Sequence, residues 1–598
     1  MKKRLATVTL IAALTLSACS VPTKSDLPKK EHKVEVKGKR PTISFLGQSS
    51  YEDEMNIAKA QLEDAGFNVK MNIQPDYGSF RSQREAGNYD IAIDDWTTVF
   101  GDPNYSVSAL FKTGGSNSLL SDKHVDKLLN KASQETDSKA KKTYKQLEDE
   151  VVFKEGYLAP LYGSKKNLVF DNKVINPKRV MLPISRALFW QSFDYNNKQN
   201  RDKRPLVISQ EDSELASLDP IRSIAPSVYG IDMNMYTRLL TLDKDNSITT
   251  KGSLSHSYAT NKDHTAFYFL LRDDDYFAKV ENGTAEKTNE RVTADDIKFS
   301  LDRARDKNSV PDNTTYNMHS HIKNIAKVSN INELKDAQTS NNNSVWDALT
   351  KDKKLNVKSL TNNDAAVNNK EGKYQVVKIT TDQSMPKEVN YLTHSSAGIL
   401  SKSHVTAMNN NNNDKPYGDP STIPTKDSGK NSLYASGPYI MTKKTNYQAS
   451  FERNPGFNEN EQSNYGRAPI KNIALRFNDD PDSALSELRN HSVDVLSDAD
   501  QKNFDLIKSD DNLTIKRKMG SESVFLLTNI KHGTFKKHPE LRRAVVDAVD
   551  QQQYIKFYRG DKFNIASPVT PLLNTGNKQH RDLDDAQKIM DKYQKHHH

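Results

Sequence analysis

His319 and His321 stand one residue apart, and His596 to His598 close the chain. Imidazoles can hold a transition metal, but recognised sites set them among carboxylates or thiolates at fixed spacings. Neither group has such company, so no metal and no cofactor is implied. Serine, histidine and aspartate are scattered as the composition of a 598-residue chain requires. No Gly-rich phosphate loop, nucleophile elbow or zinc-protease helix gathers them, and the pattern points away from an enzyme. Cys19 is the only cysteine, which leaves no intramolecular disulfide.

The surroundings of Cys19 are specific. Lys2, Lys3 and Arg4 form a charged n-region, Ala6 to Leu16 an apolar stretch too short to span a bilayer, and Leu16-Ser17-Ala18-Cys19 ends it with small residues. The arrangement resembles the bacterial lipoprotein box. That resemblance implies a signal peptide over residues 1–18, lipidation at Cys19 and display on the outer face of a cytoplasmic membrane. A lipid anchors through buried methylenes, not through a spanning helix. Residues 19–40 are polar and lysine-rich, and read as a flexible tether. Beyond it no apolar run reaches the length of a membrane span. The 86 Lys+Arg and 77 Asp+Glu are interspersed, with a net charge of +9 and no basic stripe, which disfavours a nucleic-acid binder. The length gives room for two to four domains.

The elements that must position any site begin at Pro41. Thr42 to Leu46 reads as a strand and Tyr51 to Ala65 as a helix that Gly66 ends. Phe67 to Ile73 alternates apolar and polar residues, the period of a half-buried strand. Tyr89 to Ile93 is a further strand; Val125 to Ala132 and Lys139 to Val152 read as helices. Asn196 to Arg204 has no apolar residue and is the best internal linker. After it come strands at Leu206 to Ser209 and Thr265 to Arg272. Thr293 and Asp296 form a capping-box-like helix start. The segment Asp312 to Pro424, asparagine-rich and apolar-poor, reads as loop insertions. Helices follow from Pro481, over Leu541 to Val549, and over Leu583 to Tyr593. Strands interleaved with helices predict an α/β protein.

Several stretches then resemble one family in its own order. Ser217-Leu218-Asp219-Pro220 with Met235-Tyr236-Thr237-Arg238-Leu239-Leu240 matches its opening. Phe269-Leu270-Leu271-Arg272, Asn282-Gly283 and Thr293 to Arg303 match its most recognisable part. Ser436-Gly437-Pro438-Tyr439, Glu452-Arg453-Asn454-Pro455, Leu541-Arg542-Arg543-Ala544 and Asp550 follow. The chain resembles the solute-binding proteins of the oligopeptide/dipeptide/nickel class (family 5), the receptors of ABC importers. The resemblance implies a two-lobed periplasmic-binding-protein-like fold (type II, large peptide-binding class) with an extra subdomain. It also implies a monomer that captures oligopeptides and delivers them to permease subunits driven by a separate ATPase. Binding of nickel or a metal chelate is the alternative. Arg559-Gly560-Asp561, an integrin-recognition tripeptide when exposed on a turn, adds a third reading of surface adhesion.

One departure concerns order. Gly87-Asn88-Tyr89-Asp90, Trp96, Asp102-Pro103, Val125 to Leu129 and Pro160-Leu161 resemble the family's last segment, yet stand at the front. The expectation is a circular permutant. Residues 41–197 supply the family's C-terminal part, residues 198–204 are a linker, and residues 205–598 supply the N-terminal and middle parts.

For the site, the resemblance implies one cleft wall from Arg222 to Ser227, with Ile224 and Ala225 at the ligand, and a facing wall from Asp94 to Phe100. Trp96 is the flat wall, and Asp95, Thr97 and Phe100 are its companions. Peptide receptors of this class often carry an aspartate three residues after the tryptophan, for the peptide ammonium. Here Val99 stands there. A buried ammonium needs a countercharge, so either Asp94 or Asp95 replaces it, with Asp95 preferred if the strand continues past Thr97, or the ligand is not a simple free peptide. Asp102, before proline, is expected to cap or shape a turn. Pro226 removes one backbone donor from the opposite wall.

Overall fold

A computed structural model describes residues 32–184, 187–211, 215, 217–222, 226–411, 417–418, 433–457 and 468–595. Among them, eleven strands form one mixed sheet. In chain order they are β1 (Thr42–Gln48), β2 (Asn68–Gln74), β3 (Ile91–Thr97), β4 (Leu158–Asp171), β5 (Leu206–Gln210), β6 (Tyr439–Lys444), β7 (Gln448–Arg453), β8 (Asn472–Phe477), β9 (Val495–Ser497), β10 (Leu513–Thr528) and β11 (Lys562–Phe563). The spatial order is β6-β7-β8-β5-β9-β4-β10-β3-β1-β2, with β11 paired to β4. Strands from the front of the chain thus lie beside strands from its end.

β4 and β10 have 14 and 16 residues, against a usual strand of about five or six. Their length lets each serve two lobes. Leu513–Met519 pairs with Lys165–Asp171, and Ser523–Leu527 with Leu158–Gly163, with the register shifting between Met519 and Ser523. On one side of that shift β9 joins β4 at Leu168–Phe170. On the other, β3 joins β10 at Glu522–Thr528. The two strands are therefore the connection between a first lobe, built on β5 to β9, and a second, built on β1 to β3.

The second lobe's core shows why its elements form. The helix Glu52–Asp64 buries Met55, Ala58 and Leu62 at spacings of three and four against Ile43 and Phe45 of β1. Gly66, just beyond it at φ 97°, takes the left-handed conformation that ends a helix. A Cβ there would lie 3.2 Å from Met590. Met590 belongs to the helix Leu583–Lys595, whose buried Leu583, Ala586 and Met590 share a core with Phe45. Residues before β1 run along the same helix. The Glu35 backbone N donates to Gln587 Oε1 (2.7 Å), and Gln587 Nε2 donates back to the Glu35 carbonyl (2.8 Å).

The first lobe carries a subdomain whose four-stranded antiparallel sheet runs Ile322–Val328, Val376–Thr381, Ala266–Leu271, Ser255–Thr260. Ala266–Leu271 is buried on both faces. Phe267, Phe269 and Leu271 pack with Ile297 and Leu301 of the capped helix Ala294–Arg305, while Tyr268 and Leu270 pack with Leu334, Val345 and Leu349. This corrects the reading of Asp312 to Pro424 as loop insertions. Two of the four strands come from it, with Ile322, Ile325 and Val328 of one and Val376, Val377 and Ile379 of the other buried in the cores on the two faces of the sheet. Nor is Asn196 to Arg204 a free linker. Arg201 pairs with Asp194, Arg204 Nη2 lies 2.8 Å from Asp494 Oδ1, and the Lys471 N donates to the Arg201 carbonyl at 2.9 Å.

Candidate functional site

β3 ends at Thr97, on the second lobe beside the crossing strands. Consecutive strand residues face opposite ways, and the two aspartates show it. Asp94 is buried and pairs with Arg84, also drawn inward from the helix Tyr77–Glu85. Burial raises its pKa, and the Arg84 guanidinium opposes that rise. Its charge is already answered within the lobe. Asp95, one residue on, is half-buried on the other face, where Val524 of β10 is its cross-strand partner.

That face holds acids the sequence reading missed. Glu522 stands opposite Thr97 in the same ladder, one position diagonal to Asp95. The Tyr51 hydroxyl is held protonated by burial, with Asp95, Glu522, Asp94 and Glu54 all raising its pKa further. Glu54 is buried, accepting from the Tyr162 hydroxyl at 2.7 Å and from the Tyr558 hydroxyl. No linear spacing could have revealed this grouping, since Tyr51 and Glu54 follow β1, Asp95 stands in β3 and Glu522 in β10, strands that come together only in the sheet.

Trp96 is half-buried, its ring 5.5 Å from Tyr105. Its indole N–H has no hydrogen-bond partner, nor does the hydroxyl of Ser523 directly opposite. Buried donors usually find partners, so two facing each other across the ladder mark a surface short of acceptors. Thr97 is half-buried at the end of the ladder.

Phe100 lies where the two lobes meet. It is fully buried, packed against Tyr105, Tyr391 and His394. The strand stops at Thr97, so the parity linking Asp95 to position 99 does not extend that far, and Val99 packs toward Met181, Phe189, Tyr229 and Met233. Asp102 caps the helix Pro103–Phe111, accepting from the Asn104 N at 3.0 Å. Ile224 and Ala225, like Cys19 and His596 to His598, lie outside the described residues. At the ends of the Arg222 to Ser227 wall, Arg222 Nε donates to the Pro311 carbonyl (3.1 Å) and Ser227 is buried.

The histidines are engaged elsewhere. His319 meets Ser396 Oγ at 2.7 Å and His321 pairs with Glu388. Among the described residues no group of three or more His, Cys, Asp or Glu could hold a metal. The adhesion reading loses its acid: Asp561 is buried, with Arg517 Nη2 2.8 Å from its Oδ1, while Arg559 pairs with Asp505.

Two lobes on one sheet, joined by a pair of crossing strands and flanked by an extra subdomain, define a type II binding protein. Residues 249–595 match the bacterial extracellular solute-binding proteins, family 5 (middle), and the chain belongs to that family. Its members are substrate-binding proteins that work outside the cytoplasm with ABC permeases. Among solved structures, the chain is similar to DppA from Helicobacter pylori in complex with the peptide STSA, at 16% identity over 66% of this chain and 67% of that one, with a TM-score of 0.45. It is also similar to the Escherichia coli murein tripeptide binding protein MppA (17% identity, 52% of this chain, 49% of that one, TM-score 0.35). A third is HbpA2 from Haemophilus parasuis (16%, 52%, 50%, 0.36). The chain thus spans about half the length of MppA and HbpA2. No curated protein matches it. No described helix is long and apolar enough to cross a membrane.

Proposed function

We propose that the protein is a lipid-anchored receptor that captures oligopeptides between its lobes and hands them to an ABC permease with a separate ATPase. The observation that carries the ligand class is the end of β3, where Trp96 presents an unpartnered indole N–H and Asp95 lies on the face shared with Glu522. A peptide offers backbone carbonyls that can accept from the Trp96 indole on one face of the strand end, and an ammonium that a carboxylate such as Asp95 can hold on the other. Asp95 then stands in for the acid that Val99 cannot supply. The anchor is Cys19. The chain order is a circular permutation of the family's, a reading supported by β4 from the front of the chain lying between β9 and β10 from its end.

Calorimetric titration tests the ligand reading. A charge-assisted hydrogen bond contributes about 1.5–3 kcal/mol, or about ten- to a hundred-fold in affinity. Asp95→Asn is expected to weaken a free short peptide by that factor while leaving its N-acetylated form nearly unchanged. Equal loss for both forms, or loss for neither, contradicts ammonium recognition by Asp95.

A further inference from the structure

Phe100 lies in the loop between β3 and the helix Pro103–Phe111, where side chains usually meet water, yet it is fully buried. Its ring centroid is 4.9 Å from that of Tyr105 in its own lobe. Across the boundary it is 4.7 Å from Tyr391 and 5.5 Å from His394. Leu242 and Met318, also of the first lobe and its subdomain, complete the pocket. The backbone is held as well. Asn390 Nδ2 donates to the Phe100 carbonyl at 2.8 Å, and the Tyr229 hydroxyl to the Val99 carbonyl at 3.4 Å. Gly101 turns the chain at φ 80°, a conformation other residues rarely adopt, and a Cβ there would lie 3.4 Å from Asn390 Nδ2. Farther along the same boundary, Lys387 Nζ pairs with Asp137 at 2.8 Å.

We propose that Phe100 is an interlobe latch: seated between Tyr391 and His394, it holds the two lobes together through the protein's own contacts. These contacts join the second lobe to the first directly, protein to protein. An open–closed equilibrium shifts by whatever the closed form alone gains, and an aromatic ring taken out of water is a large gain. Removing the ring therefore lowers the closed-to-open ratio on the order of 10- to 100-fold.

Small-angle X-ray scattering reads this without labels and without knowing the ligand. Wild-type protein, stripped of small molecules by unfolding, dialysis and refolding, is expected to scatter as the closed form. Phe100→Ala is expected to show a larger radius of gyration, with Phe100→Leu in between. An open wild type, or an unchanged radius in Phe100→Ala, overturns the latch. Should circular dichroism show Phe100→Ala unfolded, Tyr391→Leu removes the facing wall from the other lobe and is expected to open the protein in the same way. If both variants unfold, Phe100 is core and not latch, and the proposal is wrong. None of these outcomes depends on whether the ligand is a peptide.

Discussion

Asp94 and Asp95 are adjacent and chemically identical, and the pleat of one strand separates their roles. Asp94 turns to Arg84 and is neutralised inside the lobe; Asp95 turns to the face that Glu522 and Tyr51 share. Burial alone does more to a third aspartate. Asp547 sits in the helix Leu541–Ala548, and its pKa is pushed up to about 7 by burial, with Asp585 adding to the rise and Arg543 opposing it. An unfolded aspartate titrates near about 3.9. Between those values the folded protein holds a proton that the unfolded chain has released, so this group's contribution to stability falls as pH rises from about 4 to about 7. Asp547→Asn removes that loss. Urea midpoints at pH 5 and pH 8 are expected to fall further in the wild type than in the variant, and equal changes contradict the shift.

Amphipathic helices were legible because their period is local. The expected Leu541 to Val549 and Leu583 to Tyr593 appear as Leu541–Ala548 and Leu583–Lys595, and the capping box at Thr293 forms as its spacing implies. The two strands that matter most were not legible. β4 is buried along nearly its whole length, which erases the alternation that identifies a strand. The first half of β10, Leu513 to Lys518, is mostly polar because it lies half-exposed at the crossing. The sequence reading reached Trp96 and Asp95 through resemblance, but Glu522 and Tyr51 only pairing could bring in, and the surroundings of Phe100 were not legible because Asn390, Tyr391 and His394 come to it from nearly 300 positions away. The pairing has a consequence. With β4 between β9 and β10, the chain on either side of residues 198–204 should hold together without a covalent link. A protease site placed there and cut is expected to leave one species on size exclusion, and two separating fragments contradict the shared sheet.

At the scale of the molecule, the front of the chain completes a lobe that its end begins, and the segment before β1 lies against the last described helix. Family membership, two lobes on crossing strands and an acid-lined strand end together describe a receptor. Such a receptor is defined by what it holds. Native mass spectrometry of protein freshly extracted from the membrane reads that most directly, and the same intact mass reports lipid on Cys19. The account predicts a bound population carrying a spread of short peptides, released on denaturation, on a lipid-modified chain. A metal chelate in their place, or a protein that carries no peptide and takes up none from an added mixture, would contradict it.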